Sequence, residues 1–204
     1  MILDIKFIVL SSLLIAAIIP LYIYREKVFA FAYRKGDIEP FLDLVKNHMK
    51  KEHPLVPINY AIVEKTADEK DIRVRETIIV EDIVSQYFNY EYEKQTQGSV
   101  SKDKLWTGYD EKSVHNVKMP SDWVQRKELA WARDNQKCNR CAKTVSLKNS
   151  ISIFVKDIED GAGYNIENII TLCEDCNRVL NSKNPRNTMA NLELMDRLMK
   201  YVES

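Results

Sequence analysis

CNRC at residues 138–141 and CEDC at residues 173–176 decide how the last third of this chain is read. All four cysteines of the 204-residue sequence lie in these two pairs, thirty-one residues apart. Two residues between paired cysteines let both sulfurs converge on one ion, and two such knuckles complete the tetrahedral thiolate set that structural zinc prefers. Four protein ligands leave no open coordination position. An ion held by Cys138, Cys141, Cys173 and Cys176 would therefore hold the fold and not activate water, and the expectation is one Zn2+ per chain. Two redox-active pairs are the competing reading. A disulfide framework fits poorly in a chain this long, and free metal-binding thiols imply a reducing compartment.

Outward from the knuckles, WVQRKELAWARDNQKCNRC at 123–141 predicts a helix entering the first pair, capped by Asp122 with Gln125 at the reciprocal position. ISIFV at 151–155 reads as a strand, KDIEDGAG at 156–163 as an acidic turn, and NIENIITLCEDCNRVL at 165–180 carries the second knuckle. In TMANLELMDRLMKYVES at 188–204, Met189, Leu192, Met195, Leu198, Met199 and Val202 recur at three- and four-residue steps. That spacing predicts an amphipathic helix packed on the domain's own core.

Together these pieces resemble the HNH endonuclease family. The resemblance rests on Arg133-Asp134 ahead of the first pair, Gly161 and Gly163 in the loop, the run from Asn168 to Cys173, and the second knuckle leading into a helix; it covers about residues 122–183. It implies an α+β fold with a zinc-stapled treble-clef, ββα core. In the family, a histidine at the end of the first strand is the general base for a water that attacks phosphate, beside a divalent ion. Here Asp157 stands before Ile158 where that histidine would be, and Lys156 precedes it. The middle asparagine is kept as Asn168, and Asn177 follows Cys176 in place of the last histidine. No histidine follows His115. An aspartate with a pKa of about 3.9 is a weak base for water, a lysine repels a divalent ion, and general-base catalysis alone contributes roughly 10² to 10⁴-fold. The expected function is thus a catalytically degenerate module that binds a protein or nucleic acid. The alternative is an active metal-dependent DNA endonuclease using Asp157, Glu159, Asp160 and Asn168 with Mg2+.

With 30 basic and 30 acidic residues the net charge is zero, so the whole chain lacks the footprint of a sequence-independent nucleic-acid binder. Any DNA contact must come from a local patch. Candidates are Lys137, Arg140, Lys143 and Lys148 around the first knuckle, and Arg178, Lys183 and Arg186 after the second. The competing reading is that these residues offset nearby acids and thiolates.

FIVLSSLLIAAIIPLYIY at 7–24, after a short tail at 1–6, has no charge and predicts a transmembrane helix. Lys6 precedes it, and Arg25, Lys27, Arg34 and Lys35 follow, so the positive-inside rule predicts a single-pass inner-membrane protein, N-out with a cytoplasmic C-terminal domain. A signal peptide cleaved after Ala30-Phe31-Ala32 is the rival, opposed by the charged Arg25-Glu26-Lys27. On that geometry the partner is a protein or DNA near the membrane, and a phage or phage-defence role follows by analogy alone.

Residues 25–90 read as a membrane-proximal, mainly helical region. Ile38, Phe41, Leu42, Val45 and Met49 predict a helix over 38–50 with Pro40 in its first turn, 60–63 a strand, and 76–89 a second helix. Residues 91–120 read as a linker or irregular arm that Trp106 and Tyr109 pack onto a neighbour, and 121–204 as the zinc domain. His48, His53 and His115 are expected at the surface or at caps, away from the cysteines.

Overall fold

In the computed structural model, which describes residues 5–28, 33–95, 98–111 and 119–202, the stripe Phe41, Leu42, Val45 and Met49 forms the buried face of α3 (Glu39–Glu52). Pro40 sits in the first turn, where a missing N–H costs nothing. The second expected helix is α5 (Ile72–Asn89), which begins earlier than its apolar pattern because Asp71 accepts the backbone N–H of Arg73 at 3.0 Å. Where a strand was expected at 60–63, the chain makes one helical turn, α4 (Ile62–Lys65). Asn59 starts that turn by accepting the Ala61 N–H at 2.9 Å, and Gln86 on α5 bonds both the N–H and the carbonyl of Asn59. No strand lies alongside to pair with it among the described residues.

The sheet has two antiparallel strands, β1 (Ile151–Phe154) and β2 (Ile169–Leu172), in the register Ile151 to Leu172 through Phe154 to Ile169. All four β2 residues are buried. On them lies α6 (Trp123–Arg133), the expected helix into the first knuckle. Asp122 precedes it but does not cap it: its carboxylate is taken by Arg126 at 2.7 Å and by the Trp106 indole at 3.2 Å. From the second knuckle runs α7 (Glu174–Leu180). The single helix expected over 188–204 is two, α8 (Pro185–Ala190) and α9 (Glu193–Val202). The break arises because Asp175 accepts the N–H groups of Glu193 and Leu194, at 2.9 and 3.0 Å, and so starts a new helix there.

One core joins the two ends of the chain. Val45 of α3, Ile83 and Tyr87 of α5 and Leu198 of α9 belong to the same buried cluster as all four cysteines. A second cluster, around Ala130, Ile166 and Ile169, is covered by Val100, Leu105, Trp106 and Tyr109, so the arm packs against α6 as its aromatics suggested.

The membrane span does not hold. Helix α1 (Ile5–Ile23) has Lys6 in its first turn and Pro20 inside it. Its charge-free part, Phe7 to Ile23, rises about 25 Å against a hydrocarbon core of about 30 Å. No helix of the described residues is long and apolar enough to cross a membrane. The single-pass anchor is therefore corrected, and with it the inner-membrane, N-out placement that rested on it; the phage association has no support either. Phe7, Leu10 and Leu13 are exposed and add nothing to the core; α2 (Arg25–Val28) follows α1. The Ala30-Phe31-Ala32 triplet, most of the tail before Lys6, and His115 lie outside the described residues.

Candidate metal centre

The first knuckle is shaped by its backbone. Asn135, Gln136 and Ala142 have φ of 52°, 61° and 63°, turning the chain sharply on either side of the pair. The N–H of Ala142 donates to Cys138 O, and that of Cys138 to Lys143 O, both at 2.8 Å. In the second knuckle Cys173 stands at the N-cap of α7, where its sulfur accepts the Cys176 N–H at 3.4 Å. Two contacts from the first knuckle fix the spacing of the pairs by pinning Thr171 on β2. Asn139 N–H donates to Thr171 O at 2.8 Å, and Asp134 accepts the Thr171 N–H at 2.9 Å. Arg133 completes the staple, paired with Asp134 at 2.8 Å and donating to the carbonyls of Ile166 and Ile169. The Arg133-Asp134 dipeptide is thus a structural clamp.

All four cysteines are buried and free of disulfides, and their sulfurs lie within 4.8 Å of one another. Cys141 and Cys173 sulfurs are 3.8 Å apart. Four sulfurs about 2.3 Å from a central zinc stand about 3.8 Å apart along each tetrahedral edge. The same crowding sets their proton affinities: contact with Cys141, then Cys173 and Cys176, holds the Cys138 thiol far down, while contact with Cys138 leads in pushing Cys141 and Cys173 up. Without a cation, one thiolate suppresses the others. A divalent ion removes that conflict by stabilising all four.

Arg140 gives an independent test of the fit. It was expected as a phosphate contact, and the fold places it 1 % exposed. Its guanidinium points inward, with Nη1 3.6 Å from the Cys176 sulfur and Nη2 donating to the carbonyls of Tyr87, Phe88 and Tyr90. A buried guanidinium stays charged and requires an anion nearby. The thiolates of a metal-loaded centre supply one.

Residues 138–183 match the HNH endonuclease family. The match contains both knuckles, so this HNH-type region carries a group of four cysteines that could hold a metal ion. No curated protein and no solved structure matches the chain.

The other expected site residues of the HNH-type region do not meet. Asp157 is exposed on the turn beyond β1 and caps nothing with its side chain. Asn168 is consumed locally: its amide donates to Lys156 O and Gly163 O, and its oxygen accepts the Lys156 N–H, each at 2.9 Å. Asn177 accepts from Asn181 through both its backbone and side-chain oxygens. No hydrogen bond joins Asp157, Asn168 and Asn177 among the described residues. Of the basic candidates, Lys143 is paired with Glu193 at 2.7 Å, and Arg178 with Glu174 at 2.5 Å and with Asn191 O. Lys137, Lys148, Lys183 and Arg186 are exposed.

Sequence reading missed the burial of three residues around the centre. Tyr87 lies 0 % exposed with its hydroxyl 3.0 Å from the Cys176 sulfur, but looked like one more position in an apolar helical stripe. Asp175 lies inside CEDC, where the spacing singles out only the cysteines; burial pushes its carboxyl up, against the two backbone N–H groups that hold it down. His53, expected at the surface or at a cap, is the C-cap residue of α3 and is buried against Tyr87.

Proposed function

We propose that the protein is a zinc-stapled HNH-type module that recognises a macromolecular partner by binding, with the cleavage chemistry of its family lost. The observation that carries this reading is the contrast within one domain. The four-sulfur centre is buried and well formed, whereas Asp157, Asn168 and Asn177 are exposed or bonded to their own neighbours. Among the described residues only the four cysteines group closely enough to hold a metal through three or more side chains. Among the described residues Asp157 has Lys156 beside it and no histidine to share a proton with, so none of them places a strong base where phosphate and water could meet.

A protein partner suits the surface better than nucleic acid. Three of the seven basic candidates are committed internally, and tracking a duplex draws on several free cations along one face. Metal analysis of the purified full chain tests the first half of the reading, with one zinc per chain expected. Plasmid nicking with magnesium, manganese or nickel, run beside Asp157→Ala, tests the second. Metal-dependent cutting that the substitution abolishes would overturn the binding reading in favour of an endonuclease. Salt-sensitive retention of DNA without cutting would overturn the choice of a protein partner.

A further inference from the structure

We propose that Tyr87 and Arg140 form an outer shell of the metal centre, both acting on the Cys176 sulfur, and that metal occupancy thereby seats the C-terminal end of α5 against the second knuckle. This rests on the zinc reading above and extends it to Tyr87, which lies outside the matched region. A zinc ion with four thiolates carries a formal charge of about −2, which is costly to bury without compensation. Backbone N–H groups serve two of the sulfurs, Lys143 on Cys141 at 3.5 Å and Cys176 on Cys173 at 3.4 Å. Cys176 is served by side chains: the Tyr87 hydroxyl at 3.0 Å and Arg140 Nη1 at 3.6 Å. A metal-bound thiolate can only accept, so the phenol donates.

Arg140 has no carboxylate partner among the described residues, and its Nε has no hydrogen-bond partner. Its guanidinium lies over the rings of Tyr87 and Tyr90, 5.1 and 5.3 Å from their centroids. Through Nη2 it also holds the carbonyls of Tyr87, Phe88 and Tyr90 where α5 ends. One buried cation thus ties together a sulfur from residue 176 and a helix end from residues 87–90. Without the metal the Cys176 sulfur is no longer fixed in the centre, and the cation and the helix end lose the point to which they are tied. Donors placed like this around a metal ligand typically govern about 10- to 100-fold in metal retention.

The test uses the full chain, loaded with zinc or cobalt, as wild type and as Tyr87→Phe, Arg140→Met, Arg140→Lys and Tyr201→Phe. Tyr201→Phe removes a hydroxyl that meets His48 at 3.3 Å and is the control. Expected are zinc release to a chromophoric chelator about 10-fold faster for Tyr87→Phe and faster still for Arg140→Met, partial recovery in Arg140→Lys, and no change in Tyr201→Phe. In the cobalt form, the sulfur-to-metal charge-transfer band moves to lower energy in Tyr87→Phe, because a sulfur without its donor is more electron-rich. Zinc removal speeds amide exchange at the end of α5 before it does so in β1. Wild type with one metal per chain, and a Tyr87→Phe variant matching it in release rate and spectrum, overturns the outer shell alone. Wild type without metal overturns the centre itself. If Arg140→Met does not fold, Tyr87→Phe, which keeps ring and volume, decides the outcome.

Discussion

The imidazole of His53 stands edge-on to the ring of Tyr87, with centroids 5.1 Å apart and planes at 71°. This contact puts a histidine from the end of α3 beside the residue that reaches the cysteine sulfurs. His53 Nδ1 has no hydrogen-bond partner, and burial, helped by Lys143 and His48, lowers its pKa from 6.5 to about 3. The folded ring is therefore neutral where the unfolded one titrates. The stability it lends is complete above pH 6.5 and is lost as pH falls from 6.5 toward 3, at up to about 1.4 kcal/mol per pH unit. His53→Leu should flatten this slope. Urea denaturation of both proteins at pH 7.5, 6.5 and 5.5 measures it, and since thiolate protonation acts on both alike, equal slopes would exclude His53 as the titrating group.

Asn168 supplies all three side-chain hydrogen bonds that close the turn from Lys156 to Gly163. Asn168→Ala should cost about 1–3 kcal/mol and loosen the turn, because each partner loses a bond and the amide is half-buried. Asn168→Asp should be worse, since a carboxylate would face two carbonyl oxygens. Amide exchange at 155–163 should rise in both variants while the knuckles stay protected. A loss of metal in Asn168→Ala would contradict this purely local role.

Ala142 holds a φ of 63°, a left-handed conformation that is strained for a residue with a Cβ. It is required because the chain must turn at once after Cys141 for the Lys143 N–H to reach that sulfur at 3.5 Å. Ala142→Gly should stabilise the zinc-loaded protein by roughly 0.5–1 kcal/mol. A thermal melt reads this directly, and a lower melting temperature would mean that the methyl packs usefully.

How far the fold could be read from the chain follows from the range of the contacts involved. The knuckles, α3, most of α5 and β1 were legible because spacing and periodicity are local properties. The α8–α9 break was not, because Asp175, the residue that makes it, lies eighteen positions from Glu193. Tyr87 and Cys176 meet across eighty-nine residues, and no pattern within either helix announces that meeting. Arg140 was visible inside CNRC but was read as a surface charge, since its acceptors are carbonyls about fifty positions away. The membrane span failed for a different reason: counting apolar letters to Tyr24 overstated a helix that closes at Ile23 and holds Pro20 within it.

Glu193 joins the first knuckle to α9 by accepting from Lys143 Nζ at 2.7 Å and from Arg197 Nη2 at 2.6 Å. The hydrogen bond from Lys143, then that from Arg197, lowers its pKa from 4.5 to about 2. Because the folded carboxyl is the stronger acid, the stability it lends is present above pH 4.5 and is lost as pH falls toward 2. Its side chain is 47 % exposed, and solvent screening leaves a contribution of about 0.5–1 kcal/mol. Glu193→Gln should therefore be less stable than the wild type by that amount at pH 7, converge with it only as pH falls from 4.5 to about 2, and lose most of the difference in 1 M salt. Denaturation at pH 7 and at a pH of about 2, in low and high salt, measures all three outcomes. A deficit that persists at the lower pH would assign the effect to packing at the start of α9, where Glu193 also donates its N–H to Asp175.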